Sequence, residues 1–557
     1  MATPSGKPSV LIAGAGPSGL ILALTLTQNH VPVRILDKET SPRIGQRGAG
    51  IQPRTLELFH FLGVLPDVLK RTFSLPMICR YKMPEGIEPT VKYHLVGEPW
   101  TPTPDIPYPN ALMLGQSNYE AILRDHLAKA GVQVELGMEL TTFEQDNNGV
   151  TATVVRHESG VDRSETICAD WLVCADGGKS HARKALGLTF LGETRDSLHV
   201  VVADAEVSGL SPEYWHSWGN FGSTSLMVRA TEDPSIFNFV MIAPPSNLSR
   251  AQEGREGFNE TVHAITNRKD ISIGNIIWQS EWKPNIRIVN EYQKGRVFLV
   301  GDAAHIHTPA GGQGANTGMQ DGANLGWKLS LVHKGLASPS LLDTYNEERH
   351  PVAKEMLIRT TNALDQMNGK HNTDKTPITQ GTLLKQLSIN YRWSSAVVDQ
   401  QPRGPHTELL APYLPQGNKE LRAGDRAPNA PNLVPLRSGT PDNSTSTSLF
   451  DLFHATHHTL LLFDPSAEQI KALDSVTTSL SQELLHRVFI LSPKNAPDCP
   501  SSSLEATVLI DVDDHAHSAY LPSRQGFPLF VVRPDGVIGA ILKDVDGLQQ
   551  YLGRVFV

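Results

Sequence analysis

The stretch Gly14-Ala15-Gly16-Pro17-Ser18-Gly19 constrains this chain more than any other. It follows the short apolar run Ser9–Ala13 and opens a helical pattern that continues to Thr27. A second apolar run, Val33–Leu36, ends in Asp37. A glycine-rich turn between strand and helix, with another strand after it, is a βαβ unit on a parallel sheet. Each glycine has its own reason: the first permits the tight turn, the second lets a pyrophosphate approach the backbone, and the third lets the helix lie close to the sheet. The phosphates then meet the positive end of the helix. Asp37 stands where a carboxylate accepts hydrogen bonds from a ribose diol. The motif points to a dinucleotide without separating FAD from NAD.

At 557 residues the chain has room for three to four structural units at roughly 150 residues each. Apolar residues make up 39% and charged residues 19%, a globular balance. Acidic residues outnumber basic ones, 58 to 49, and no Lys/Arg run is present, which excludes nucleic acid as a partner. The four cysteines, Cys79, Cys168, Cys174 and Cys499, contain no CxxC pair, which excludes disulfide scaffolds, zinc ribbons and dithiol redox motifs. Val10–Leu26 is broken by three glycines and Pro17, so it is not read as a signal segment, and no later run is long enough to span a membrane. A cytoplasmic protein with reduced thiols is expected.

The pattern along the chain divides it. Residues 1–194 read as the first part of a dinucleotide-binding α/β domain, with a helix over Tyr119–Lys129 and strands at Gln133–Glu135, Val150–Val155 and Trp171–Ala175. Residues 195–290 alternate in the manner of an antiparallel sheet with one covered face. They carry Tyr214, Trp215, Trp218, Phe221, Phe237, Phe239, Trp278 and Trp282, well above the overall aromatic share of 6%. Residues 291–370 return to α/β character, with helices expected from about Gln320 to His333 and from Pro351 to about Gln366. Residues 371–447 read as a helical segment and a Pro/Gly/Asn-rich linker. Residues 448–557 form a compact α/β unit whose Arg533-Pro534-Asp535-Gly536 turn closes a hairpin.

Two further motifs decide the cofactor. Gly295-Arg-Val-Phe-Leu-Val-Gly301-Asp302-Ala-Ala-His305 is a strand ending in Gly-Asp, followed by Pro309-Ala-Gly311-Gly312-Gln-Gly314-Ala315-Asn316-Thr-Gly318 and a helix. Cys174-Ala-Asp176-Gly177-Gly-Lys-Ser-His-Ala-Arg183 lies between the other two. With these three ordered motifs, residues 8–360 resemble the single-component flavoprotein aromatic hydroxylases, the family of p-hydroxybenzoate hydroxylase. The tail carries Gly424-Asp-Arg-Ala-Pro-Asn429 and Val532-Arg-Pro-Asp-Gly536, and is similar to the thioredoxin-like domain of the phenol hydroxylase branch.

The resemblance implies an α/β fold: a Rossmann-like FAD-binding domain, an inserted antiparallel substrate sheet, and a C-terminal thioredoxin-like α/β domain. It implies that Gly14, Gly16 and Gly19 hold the FAD pyrophosphate and Asp37 the adenosine ribose. Arg47 would lie near the pyrophosphate, Gln116 at the ribityl or phosphate region, and Asp176 in a motif shared with the pyridine nucleotide. Asp302, after Gly301, would bind the ribityl chain, with Pro309 beside the reactive flavin edge. Past Gly312 and Gly314, the N–H groups of Ala315 and Asn316 would face the flavin N1–O2 edge. A helix start there favours the negative charge of reduced flavin by a few tenths to ~2 kcal/mol.

The reaction implied is a hydroxylation. NADPH or NADH reduces FAD, dioxygen forms a flavin C4a-hydroperoxide, and one oxygen passes to a phenolic or related aromatic substrate. Phenol hydroxylases have an aspartate where this chain has Ala49, so the base is elsewhere or absent. His216 and Tyr214 are candidate replacements, and Arg229 is a candidate for binding a substrate carboxylate or phenolate. His305 is read as structural and His307 as near the flavin edge. No metal site is expected; Asp511-Val-Asp513-Asp514-His515-Ala-His517 reads as a solvated acidic loop. A Baeyer–Villiger or epoxidising monooxygenase of a polyketide or terpenoid, and a non-catalytic flavin-binding protein, are the alternatives. A homodimer is compatible with the tail.

Overall fold

The computed structural model describes the chain apart from residues 1–7, 159–160, 195–198, 221–222, 244, 284, 308–311, 368–384, 403–410, 415–419, 438–439, 443, 497–501 and 522–528. The expectations placed on Phe221, Pro309 and Cys499 therefore lie outside the described residues.

Val10–Ala13 forms the centre of a parallel sheet, between Val33–Asp37 and Trp171–Cys174. Val134–Leu136 extends one side, and Val297–Leu299 followed by Gln293–Lys294 the other. Val10–Ala13 and Trp171–Cys174 are buried along their whole length, as continuous apolar strands covered on both faces must be. The helices that position the site are α1 (Pro17–Gln28), α2 (Pro53–Phe61), α3 (Gln116–Lys129), α4 (Gly254–Thr266), α5 (Gly314–His333) and α6 (Asp343–Met367).

Two of these depart from the sequence reading. Helix α5 begins at Gly314 rather than about Gln320. Glycine is a poor helix former, but Gly318, Gly322 and Gly326 lie against α1. A Cβ at Gly322 would sit 2.6 Å from the Ser18 carbonyl oxygen, and one at Gly326 2.7 Å from Thr25 Cγ2. Packing overrides propensity. Helix α6 runs through Pro351 instead of starting there. Proline cannot donate to the carbonyl four residues back, and here Trp393 Nε1–H donates to that Glu347 oxygen at 2.8 Å.

The second sheet has seven strands in the order Ser272–Trp282, Val200–Ser208, Ile236–Ile242, Ser225–Ala230, Tyr214–Gly219, Met77–Tyr81 and Pro89–Tyr93. The last two come from well before residue 195. Met77–Tyr81 runs parallel to Tyr214–Gly219, while the other pairings are antiparallel. One face buries Val201, Ala203, Leu226, Val228, Phe239 and Trp218 against Phe258 and Val262 of α4. Residues of the opposite face, Asp204, Asn238 and Arg229, are in register with one another across three strands, and Trp278 pairs with Asp204.

The third sheet holds eight strands, ordered Val398–Asp399, Ile538–Leu542, Leu529–Val532, His458–Phe463, Leu485–Leu491, Thr507–Asp511, Leu433–Arg437 and Thr440–Pro441. Its hairpin closes through the Arg533–Gly536 turn, where the Arg533 N–H donates to Val537 O at 2.8 Å. The stretch 371–447, read as a helical segment and linker, supplies Val398–Asp399 and Leu433–Arg437 to this sheet, and Ala423, Ala427 and Ala430 are buried. Its Pro/Gly-rich composition marks irregular backbone, not a lack of packing. The acidic stretch of the tail also differs from its reading. His515–Tyr520 is a short helix, and buried His517 lies 2.8 Å from Asp511 Oδ2 and 3.2 Å from Asp464 Oδ2. Among the described residues, no helix is long and apolar enough to cross a membrane.

Candidate active site

The first glycine motif has the geometry its spacing requires. Gly14 takes φ +109°, and a Cβ there would collide with the Ala175 carbonyl. A Cβ at Gly19 would collide with the Gly14 carbonyl oxygen, whereas nothing lies within 4 Å of the Cβ position at Gly16. The approach to Gly16 is therefore open, and no side chain caps the start of α1. Asp37 Oδ2 accepts the Ala15 N–H at 2.8 Å, which aims the carboxylate across the turn. A cavity beside it is lined by Ala15, Gly16, Asp37, Glu39, Arg43 and Arg124.

The second and third motifs meet the first. Cβ positions at both Gly301 and Gly318 collide with Ser18 Oγ, so the Gly301-Asp302 turn and the starts of α1 and α5 touch. Asp302 is solvent-accessible, yet it lies deep enough for burial to raise its carboxyl pKa. A side chain with both properties faces a cleft. Helix α5 also starts without a side-chain cap. The N–H groups of its first turn, at Ala315 and Asn316, have no acceptor within the helix. The Asn316 side chain is otherwise engaged: Nδ2 donates to the Gly50 and Gly312 carbonyls, both at 2.8 Å, and Oδ1 accepts the Gln52 N–H at 2.9 Å. Gly312 takes φ +62° where the chain turns into α5, and the Gly314 Cβ position lies 2.9 Å from His307 Nε2. Asp176 Oδ2 accepts the His181 N–H at 2.9 Å, while its Oδ1 is buried with no partner among the described residues.

Arg47 lies on the loop before α2, its guanidinium 4.6 Å from the centre of the Trp278 ring. Gln116 opens α3. Its Oε1 accepts the Gly48 N–H at 3.2 Å and its Nε2 donates to Glu120 at 2.8 Å. Gln116 thus holds the loop that carries Arg47.

The seven-stranded sheet separates the three catalytic candidates. His216 shares its face with Trp218, under α4. Its Nδ1 lies 2.7 Å from the Tyr81 hydroxyl and its Nε2 2.7 Å from the Ser211 carbonyl, and burial pushes its pKa down. Two residues along, Tyr214 is on that same face and accepts a hydrogen bond from Lys92 Nζ at 2.9 Å. The fold turns both away from the Arg47 loop. Alternation puts Arg229 on the other face. It donates to Gln46 Oε1 at 3.0 Å and to the Ala230 carbonyl at 3.1 Å, and burial pushes its pKa down to about 10. Gln46 in turn donates its N–H to Asp204 at 2.7 Å and its Nε2 to Glu232 at 2.6 Å, and Glu232 also accepts the Gly115 N–H. Sequence reasoning missed Gln46, Asp204, Glu232 and the stacking role of Trp278. No local motif marks them, because their partners lie more than a hundred residues away.

The open Gly16, the unpartnered Asp176 oxygen, the cleft-facing Asp302 and two uncapped helix starts fit an FAD molecule. The family described as FAD binding domain matches residues 7–360. The chain belongs to that family.

A flavin-dependent monooxygenase of Mycobacteroides abscessus is 33% identical over 549 residues, covering 98% of this chain and all of the relative. Pentachlorophenol 4-monooxygenase of Sphingobium chlorophenolicum is 28% identical over 96% of this chain and 94% of its own. The fold matches a ternary complex of aklavinone-11 hydroxylase with FAD and aklavinone, at TM-score 0.78 and 24% identity over 99% of each chain. This chain is accordingly an FAD-binding monooxygenase.

The monooxygenase also carries a charged contact that reaches past residue 360. Arg533 donates to both Glu348 oxygens at 2.8 and 2.9 Å, and Lys328 Nζ lies 2.8 Å from Glu348. All three side chains are fully buried. Burial alone would raise the Glu348 carboxyl, but Arg533 and Lys328 hold it well below the usual range, and burial pushes Lys328 down to about 8. Arg54 and Arg426 each reach buried Glu57 at 2.6 Å, and Arg54 also donates to the Asp535 carbonyl. The two tail motifs are thereby docked on α2, α5 and α6.

Proposed function

We propose that this monooxygenase hydroxylates a phenolic or related aromatic compound, with NADPH or NADH as transient reductant and O2 as co-substrate. The observation that carries the reading is the opposition of two surfaces. The cofactor cradle lies on one side, and the sheet face bearing Arg229 and Trp278 grips the same loop, Gly45–Gly48, from the other. On that face Trp215 keeps a buried indole N–H with no acceptor among the described residues, and its ring centre lies 5.8 Å from the Arg229 guanidinium. The indoles of Trp215 and Trp278 offer flat apolar surface among the polar groups of that face, which suits a flat ligand with polar substituents.

The roles follow from position. Gly14, Gly16 and Gly19 admit the pyrophosphate, Asp37 takes the adenosine ribose, and Arg47 supplies positive charge from a loop held by Gln116. Asp176 offers its free oxygen to the cofactor, Asp302 takes the ribityl hydroxyls, and the Ala315 and Asn316 N–H groups meet negative charge at the pyrimidine edge. The bound flavin supplies hydride acceptance and oxygen activation. The protein orients the two reactants and keeps water away from them. Arg229 acts from the substrate side, whereas His216 and Tyr214 support the sheet. We read residues 1–194 and 291–370 as the FAD domain and 448–557 as a thioredoxin-like module with a packing role. A cytoplasmic setting suits the reduced thiols.

The test is to purify the protein, record the flavin spectrum, and measure NAD(P)H oxidation and product mass against phenols, hydroxybenzoates and quinols. The expected product is heavier by one oxygen, labelled from dioxygen and not from water. A protein that binds no flavin, or that consumes reductant without forming such a product, would sink the reading.

A further inference from the structure

Asp321 is fully buried within α5. Its carboxylate makes three directed contacts. Oδ2 accepts the Gly301 N–H at 3.1 Å and lies 2.7 Å from His305 Nε2, while Oδ1 accepts Arg349 Nε–H at 2.7 Å. Gly301 and His305 bracket Asp302. One carboxylate thus holds the first residue of the short helical turn Gly301–Ala303 that presents Asp302 to the cleft, and also His305 in the strand just after it. Arg349 carries the connection further, donating to the Thr317 carbonyl at 3.1 Å and to the Tyr391 hydroxyl at 2.9 Å. Thr317 lies in the first turn of α5, beside the Ala315 and Asn316 N–H groups. The same ionic group therefore fixes two separate contributors to the cofactor cleft relative to each other.

We propose that Asp321 is a positioning residue for the cofactor. Through His305 and the Gly301 N–H it sets the direction of Asp302, and through Arg349 it sets the start of α5 against that turn. The proposal rests on the assignment of Asp302 to the flavin made above. A carboxylate buried only to fill the core would gain nothing by spending its acceptors on this turn, since an apolar side chain of similar volume fills a core at least as well.

The experiment compares full-length Asp321→Asn, His305→Leu and Asp302→Ala proteins with the unmodified one. FAD affinity is measured by titrating the apoprotein, together with the visible spectrum of the bound flavin and the Tm of the apoprotein. His305→Leu removes the donor to Asp321 and leaves the Asp321–Arg349 pair intact, so it decides the matter even if Asp321→Asn fails to fold. Loss of a charge-assisted contact to the turn is expected to weaken FAD binding about tenfold or more. The flavin spectrum should shift, and the loss of affinity should exceed what any fall in the Tm of the His305→Leu apoprotein accounts for. The proposal is overturned if His305→Leu binds FAD with unchanged affinity and spectrum while Asp302→Ala loses it, or if affinity falls only in step with apoprotein Tm. Unchanged affinity in Asp302→Ala would remove the assignment of Asp302 itself, and the positioning role with it.

Discussion

Helix α5 is held from its two sides by opposite means. Toward α1 it presents Gly318, Gly322 and Gly326, whose bare backbone meets the Ser18 side chain, the Ser18 carbonyl and the Thr25 side chain with no charge involved. Toward α6 and the Arg533–Gly536 turn it presents Asn324 and Lys328, which join Glu348, Arg533 and Asp535 in a fully desolvated ionic cluster. The first contact relies on the absence of side chains and tolerates no added volume. The second relies on balanced charge and tolerates no unpaired member. The helix whose first turn we propose to face the cofactor is thus clamped once by shape and once by electrostatics.

The largest effect should come from unbalancing the charged side. Glu348→Gln leaves Lys328 buried without its carboxylate and Arg533 with Asp535 alone, and should cost about 3–5 kcal/mol in denaturant-unfolding measurements. A loss under 1 kcal/mol would show that the cluster is wetter than its burial suggests. That cost has a predictable pH dependence. Glu348 has a depressed pKa in the folded state, so it stabilises above the unfolded-state value of about 4.3. Its contribution is lost as pH falls through and below that value. The gap between the two proteins should therefore close by about 1.4 kcal/mol per pH unit below that point. A gap that widened on acidification would reverse the sign of the argument.

The glycine side should give a smaller but sharper response. Gly322→Val forces a side chain against the Ser18 carbonyl and should cost about 1–3 kcal/mol, as overpacking does. Because it separates the starts of α1 and α5, it should also weaken FAD binding, which flavin titration would detect. The smallest effect is expected from Thr25→Ser. It keeps the hydroxyl bond to the Ile21 carbonyl and removes only the methyl facing Gly326. A loss of about 0.8 kcal/mol or less in a melting experiment would fit one buried methyl group, and a much larger loss would show that the glycine seam depends on it.

The two sides also differ in how far they can be read from the residues alone. The Gly14–Gly19 turn, Asp37 and the Gly301-Asp302 turn are legible because each is a local arrangement with one physical reason behind it. The glycines of α5 misled for the same reason: locally they mark a loop, and only the presence of α1 makes them a helix. Pro351 likewise marks a helix start until Trp393 takes up the carbonyl it leaves unbonded. The pairings Arg533–Glu348, Arg426–Glu57 and Gln46–Glu232 join residues more than a hundred positions apart. No spacing or periodicity encodes them, so Arg229 was legible as important without its partners being so, and His216 was a candidate until its strand had a known face.

The strand pair Met77–Tyr81 and Pro89–Tyr93 has an engineering consequence. Because these strands complete the aromatic sheet from outside its main sequence block, that block is not a cassette. A chimera that exchanged only residues 195–290 with a relative would pair a foreign Tyr214–Gly219 strand with the host's resident edge. The graft would have to match the host along that parallel seam before any new specificity could be expressed.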